Sequence, residues 1–384
     1  MIRPLLTIVL ALRIDTALAA EPLQVRVQPT QFVGAAGCKS SSCHGGAGEK
    51  RSQFITWTRR DIHTRGYATL TNARSERIAA ALDLTQHKDG ATAASSNARC
   101  TVCHSPFQTV AAMQTPPALD PTESVSCESC HGAAGSWLRG HTRPDWSYAT
   151  RVGAGMRDLK SLYVRANTCV ACHQNLDDDI AAAGHPPLVF ELDGQSAAEP
   201  KHWRDPVDRG VNAWLTGQAV ALRELSWHLA TKGTAQQDAV MQCRGLAWLL
   251  GKVTASERAL VGIDSAGDNF SRTQQQADAL ARAAAQQNFS TDFAMRLSRT
   301  LSAVDAEFIE TGETPHDVLF SRAQRLTLAL ERLSDFVHRA SPTAARSAAL
   351  TELRQDLRWT GEFNAARFAA RLRDYRQSLG DAVP

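Results

Sequence analysis

Eight of the nine cysteines fall between Cys38 and Cys172 in four close pairs, and a histidine follows the second cysteine of every pair. The pairs read Cys38-Lys39-Ser40-Ser41-Ser42-Cys43-His44, Cys100-Thr101-Val102-Cys103-His104, Cys127-Glu128-Ser129-Cys130-His131 and Cys169-Val170-Ala171-Cys172-His173. The last three have the C-x-x-C-H spacing of c-type haem attachment, and the first is a wider variant of it. Two thiols at this spacing reach the two vinyl groups on one edge of a porphyrin. The imidazole that follows then swings under the ring as the proximal ligand to iron. Paired cysteines also serve zinc sites and disulfides. Neither use explains a histidine directly after every pair, and four tight disulfide loops would close little chain entropy. The reading is four covalently attached haem c groups. Cys38, Cys43, Cys100, Cys103, Cys127, Cys130, Cys169 and Cys172 form the thioethers, and His44, His104, His131 and His173 are the proximal ligands.

The ligand on the far face of each iron separates a wire from an enzyme. A second histidine makes a six-coordinate, electron-transferring haem, and an empty face leaves iron open for chemistry. Outside the motifs the chain has His63, His87, His141, His185, His202, His228, His316 and His338. His141 and His185 lie in turn-rich sequence beside Gly140, Pro144, Gly184 and Pro186, where side chains are often placed for function. His63 follows a short helical stretch from Ser52 to Arg60, and His202 sits in a segment bounded by Pro200 and Pro206. These four are the candidate distal ligands, set against the bland reading of surface loop histidines. His87 precedes a Lys-Asp-Gly turn and reads as solvated. His228, His316 and His338 fall in helical sequence remote from the motifs and read as structural. Met113 and Met156 are spare candidates.

The elements that position these groups divide the chain in two. From about residue 32 to 205 the sequence is dense in Gly, Pro, Ser and Thr, with short helical runs such as Arg74 to Leu84. That segment has too few periodic apolar residues for an ordinary core, so the porphyrins must supply the apolar surface. Residues 206–384 carry long helical patterns. Val211, Leu215, Leu222, Leu225 and Leu229 line one face with a polar break at Gln218, and Leu319, Ala323, Leu326, Leu330, Leu333 and Val337 step by fours and threes. Further helices are expected over 236–253, 273–287, 291–308 and 362–378, with Thr314-Pro315 and Ser341-Pro342 as helix openings. Cys243 reads as a buried free thiol. The expected fold is mainly α, a loop-rich haem-packed domain followed by an antiparallel helical domain.

Length, charge and the first residues narrow the classes further. The chain has 384 residues, 43% of them hydrophobic, and a formal charge of +3. That charge does not suit a nucleic-acid binder living on a basic face. Met1 to Ala19 has the charged start, apolar stretch and small-residue cleavage site of a secretory signal, which implies an exported, periplasmic protein. No later apolar run is long enough to span a bilayer after that signal is removed.

Four stretches in order resemble multihaem cytochromes c of the cytochrome c-554 type. They are Cys38-Lys-Ser-Ser-Ser-Cys43-His44-Gly-Gly, Trp57-Thr-Arg-Arg-Asp-Ile-His63, Val125-Ser-Cys-Glu-Ser-Cys-His131-Gly and Ala183-Gly-His185-Pro-Pro-Leu-Val-Phe-Glu191. The resemblance spans roughly residues 32 to 225. It implies a periplasmic electron carrier with closely packed, mostly bis-histidine haems, and it carries distal roles onto His63, His141 and His185. Longer relatives would hold a fifth motif after Trp214, where this chain has only Gln242-Cys243-Arg244. The expected function is a tetrahaem cytochrome passing electrons between redox partner proteins, donor and acceptor unspecified. The rival is a haem enzyme in which one five-coordinate iron acts on a small nitrogen oxide or similar molecule.

Overall fold

The computed structural model describes residues 31–84, 92–108, 119–203, 209–234, 237–309, 314–338, 344–358 and 360–380. The Met1–Ala19 segment, His87, Met113 and Ser341-Pro342 lie outside them. Among the described residues the regular structure is helical and no strand occurs, so the protein is mainly α. No described helix is long and apolar enough to cross a membrane.

The N-terminal half is built from short helices, each stopped before it can bury much surface. Those used below are α1 (Gln53–Arg60), α2 (Ala73–Ala81), α3 (Ala98–His104), α4 (Cys127–His131), α5 (Leu162–His173), α6 (Asp178–Ala182) and α7 (Leu192–Ala198). Small polar caps start them: Asn97 accepts from the Arg99 N–H, and Ser161 accepts from the Val164 N–H. Ser126 and Ser129 close a reciprocal capping box around α4. The last three cysteine motifs are therefore helical, where the Gly- and Ser-rich sequence around them suggests loops. Burying a Cys-x-x-Cys-His run on one turn brings both thiols and the imidazole to one end of a helix.

The C-terminal half holds α8 (Gly210–Lys232), α9 (Gln237–Ser256), α10 (Phe270–Gln286), α11 (Thr291–Ser302), α12 (His316–His338), α13 (Ala344–Gln355) and α14 (Ala365–Ser378). The expected 291–308 helix stops at Ser302, and a separate 3-10 turn covers Asp305–Phe308. The expected single apolar stripe on α8 is too narrow. That helix is central: α5, α7, α9, α10 and α12 all pack on it, and Asn212, Thr216, Gln218 and Ser226 are buried along with its leucines. Gln218 is tolerated there because its amide donates to the Phe190 carbonyl at 3.2 Å. Gly217 lets α7 approach, since a Cβ there would lie 2.7 Å from that of Leu192.

One large core runs through α8 to α14 and takes in Leu162, Ala166, Val170, Phe190 and Leu192 from the N-terminal half. The fourth cysteine motif thus rides on a helix, α5, that is packed against the C-terminal helices. The remaining N-terminal clusters are small: Leu70, Ala79, Ala93 and Ala94 in one, Phe107 and Leu119 in the other. Cys243 is a buried free thiol, as its sequence context implies.

Glu191 caps α7, accepting from the Asp193 and Gly194 N–H groups at 2.9 and 2.5 Å. Burial, with Asp193 beside it, pushes its carboxyl from 4.5 up to about 7. In that window the folded chain holds a proton that the unfolded chain has released. Stability should therefore fall as pH rises from about 4.5 to about 7, by a few kcal/mol at most. Denaturant melts across this range should show the slope in the wild type and lose it in Glu191→Gln.

Candidate haem sites

The fold brings every motif histidine opposite a second histidine. His44 faces His141 with ring centroids 6.2 Å apart, His63 faces His173 at 6.1 Å, His104 faces His185 at 6.4 Å, and His131 faces His202 at 6.4 Å. These rings are too far apart to touch or to share a hydrogen bond. Two imidazoles bound on opposite sides of one metal at about 2 Å would place their centroids about 6 Å apart. Each gap is that size. All four distal candidates are paired, and the pairing itself was not legible in the sequence.

The ring orientations fit the same use. Six of the eight imidazoles turn Nδ1 toward an oxygen. His44 meets Gln53 Oε1 at 3.0 Å, His63 meets Asp61 Oδ1 at 2.9 Å, and His104 meets the Gly66 carbonyl at 3.2 Å. His141 meets the Leu138 carbonyl at 2.5 Å, His185 that of Pro186 at 2.8 Å, and His202 that of Pro200 at 3.3 Å. An Nδ1–H donated to an acceptor fixes the tautomer and leaves the Nε2 lone pair for a metal. Burial lowers the pKa of His104 and His173 and pulls His131 down to about 4, which keeps these rings neutral as ligands must be. His63 is shifted upward instead, because Asp61 accepts its proton.

Local sequence explains how each ring is held. Gln53 opens α1 and reaches back to His44, while Trp57 on the same helix donates to the Val125 carbonyl at 3.1 Å. Asp61 caps the 3-10 turn that carries His63. Gly140, next to His141, is required by the Trp146 ring, which a Cβ there would meet at 2.1 Å. Trp203 packs edge-on against His202.

The motif cysteines are not joined in disulfides, and those of different motifs lie close to one another. Cys38 of the first motif lies beside Cys127 of the third, and Cys103 of the second beside Cys172 of the fourth. Cys130 of the third lies near Cys169 of the fourth. In space the motifs therefore run first, third, fourth, second.

Two carboxylates that sequence reasoning passed over set the first contact. Glu128, inside the third motif and 2% exposed, accepts from the backbone N–H groups of Val33, Gly34 and Ala134. Glu123 accepts from the Ala35 N–H and from the Ser126 hydroxyl. Together they clamp the segment before Cys38 onto α4. The only available signal was an acidic residue at an x position of the motif. Glu128→Ala should leave three buried N–H groups without an acceptor and cost on the order of 3 kcal/mol in thermal or denaturant unfolding of the mature protein.

Among the other candidates, His228 departs from the sequence reading. It is not remote from the motifs: its Nε2 lies 3.3 Å from Asp178 Oδ1 on α6, and it lines the same cavity as His185. His316 and His338 stay on α12, away from the four pairs. Asp61, His63 and Glu199 converge closely enough to suggest a small cation site, but the His63–Asp61 hydrogen bond already accounts for that cluster.

A chain that presents cysteine pairs beside imidazole pairs of this spacing has the donor set of a c-type cytochrome. Residues 25–132, which contain the first three motifs, match the family model described as cytochrome c554 and c-prime, so this stretch is similar to cytochromes of the c-554 type. The match supports a haem c cytochrome, and the matched family is commonly extracytoplasmic. No curated protein and no solved structure matches the chain.

Proposed function

We propose that the mature protein is a periplasmic tetrahaem cytochrome that relays electrons between redox partner proteins through four bis-histidine haems. The observation that carries this reading is the histidine pairing, four motif rings each opposed by a second ring at 6.1–6.4 Å. Bound haem supplies the reversible one-electron iron couple. The chain supplies everything else. The paired thiols would anchor each haem, and His44/His141, His104/His185, His131/His202 and His173/His63 would ligate the irons. The Nδ1 acceptors, Asp61 and the carbonyls of Gly66, Leu138, Pro186 and Pro200, lock ring orientation and raise ligand basicity. α5 and the C-terminal helices shield the fourth motif, since Tyr163 and Cys169 pack against the large core.

The contacts between motifs support a single path in the order first, third, fourth, second, with the first and second haems at its ends. Periplasmic placement rests on the Met1–Ala19 signal pattern and on the covalent chemistry of the motifs. The enzymatic alternative requires one iron without a distal ligand, and the pairing leaves no motif histidine unopposed. Intact mass of the protein matured in a host that attaches haem c tests the proposal. A mass increase of four haems per chain is expected, and three or fewer on fully matured protein would reject the tetrahaem reading.

A further inference from the structure

One end of this path carries a cluster of exposed cations. Around the His44/His141 pair, Lys39, Lys50, Arg51, Arg139 and Arg143 are all exposed. Lys39, Lys50 and Arg51 belong to the loop that folds under His44. The Gly46 N–H donates to the Arg51 carbonyl at 2.9 Å, and Gln53 links the Glu49 carbonyl to His44. Arg139 and Arg143 flank His141 on the opposite side. Among the described residues only Arg143 is held in an ion pair, with Asp145 at 2.6 Å. The cations outnumber Glu49 and Asp145, and two haem propionates would not reverse the sign. At the His104/His185 end Arg99 is bound to Asp179 and Asp177 at 2.5 and 3.4 Å, Asp178 faces His228, and Arg65, beside the Gly66 carbonyl that meets His104, is exposed. Among the described residues there, the exposed Asp177, Asp178 and Asp179 outnumber Arg65 and Arg99.

The whole chain is nearly neutral at +3, so this is a local field. Screening confines it to about 10 Å at 0.1 M salt, which is the scale of an encounter with one edge of the molecule. Resting on the tetrahaem reading above, we propose that the face formed by loops 39–51 and 139–143 is the docking surface for an acidic redox protein. A protein partner suits the placement because the cations ring the end of the electron path. A partner must bring its own redox centre to that edge, which a lipid or nucleic-acid surface does not do. One electron crosses per encounter: the partner's centre is oxidised by one electron, one ferric iron is reduced, and no bond is made or broken.

The test is stopped-flow reduction of the oxidised, fully haem-loaded protein by the hydroquinone of a strongly acidic flavodoxin. The wild-type second-order rate constant should fall about ten-fold or more between low salt and about 0.3 M. The triple variant Lys50→Glu, Arg51→Glu, Arg139→Glu should lose about ten-fold or more at low salt with an unchanged mass and visible spectrum. Asp177→Asn with Asp179→Asn should react like the wild type. A triple variant reacting at the wild-type rate would overturn the proposal. So would loss of binding to phosphatidylserine vesicles in that variant with the flavodoxin rate unaffected, which would assign the face to a membrane. Failure of the tetrahaem reading is seen separately, as a low haem count in the wild-type mass before any kinetics.

Discussion

A chain made without haem attachment should keep its C-terminal helices and lose fixed structure over most of residues 32–205. The cause lies in where apolar surface is buried. The large core holds nearly all the big buried side chains, among them Trp214, Phe308, Phe368 and Tyr375, and they sit in the C-terminal helices. The N-terminal half retains clusters of four and two buried residues, far below what a domain of that length needs against its conformational entropy. Amide exchange on protein made in a host lacking haem attachment, or on a variant with all eight motif cysteines replaced by alanine, should show protection from α8 onward. Protection should also persist in α5 and α7, which share that core, and be absent around α1 to α4. Equal protection of α1 to α4 in the haem-free chain would mean that this half folds on side-chain packing alone.

Replacing His185 by alanine should convert one of the four irons from six- to five-coordinate. His185 is the most weakly enforced distal ligand, since its Nδ1 is held only by the carbonyl of its own neighbour, Pro186. It lines a cavity of about 220 Å³ together with Gln174, Leu225 and His228, room enough for an exogenous imidazole. The oxidised variant should therefore gain a high-spin signal from a single haem and, once reduced, bind one carbon monoxide per chain where the wild type binds none. Added imidazole should restore the low-spin spectrum. His228→Ala, which alters the same cavity without removing a ligand, should leave the spin state unchanged. An unchanged spectrum in His185→Ala would show that His104 has no partner at that position.

The chemistry of this chain was more legible in its sequence than its geometry. Cysteine spacing alone marked the candidate attachment sites and proximal ligands, because covalent capture of a porphyrin demands adjacent residues. The distal histidines were marked only by context, since a ligand arriving from another segment obeys no spacing rule. His202 illustrates this: nothing local separates it from a loop histidine, and only the fold sets it against His131. Glu128 and Glu123 escaped for a related reason. Their distant partners, at Gly34 and Ala35, are backbone N–H groups 94 and 88 residues away, which carry no side-chain signature. On α8, leucine spacing found the helix but not its depth. Burial of Asn212 and Gln218 depends on carbonyl acceptors supplied by residues 284, 287 and 190.

The most direct measurement is the electron paramagnetic resonance spectrum of the fully oxidised wild-type protein. The His44 and His141 rings are nearly parallel, at 16°, whereas the other three pairs cross at 89°, 64° and 71°. Parallel axial rings split the two iron orbitals that they overlap, and crossed rings leave those orbitals nearly degenerate. One rhombic low-spin haem and three strongly anisotropic low-spin haems are expected, with no high-spin iron. A high-spin ferric signal from any haem of the intact protein would contradict the four bis-histidine sites.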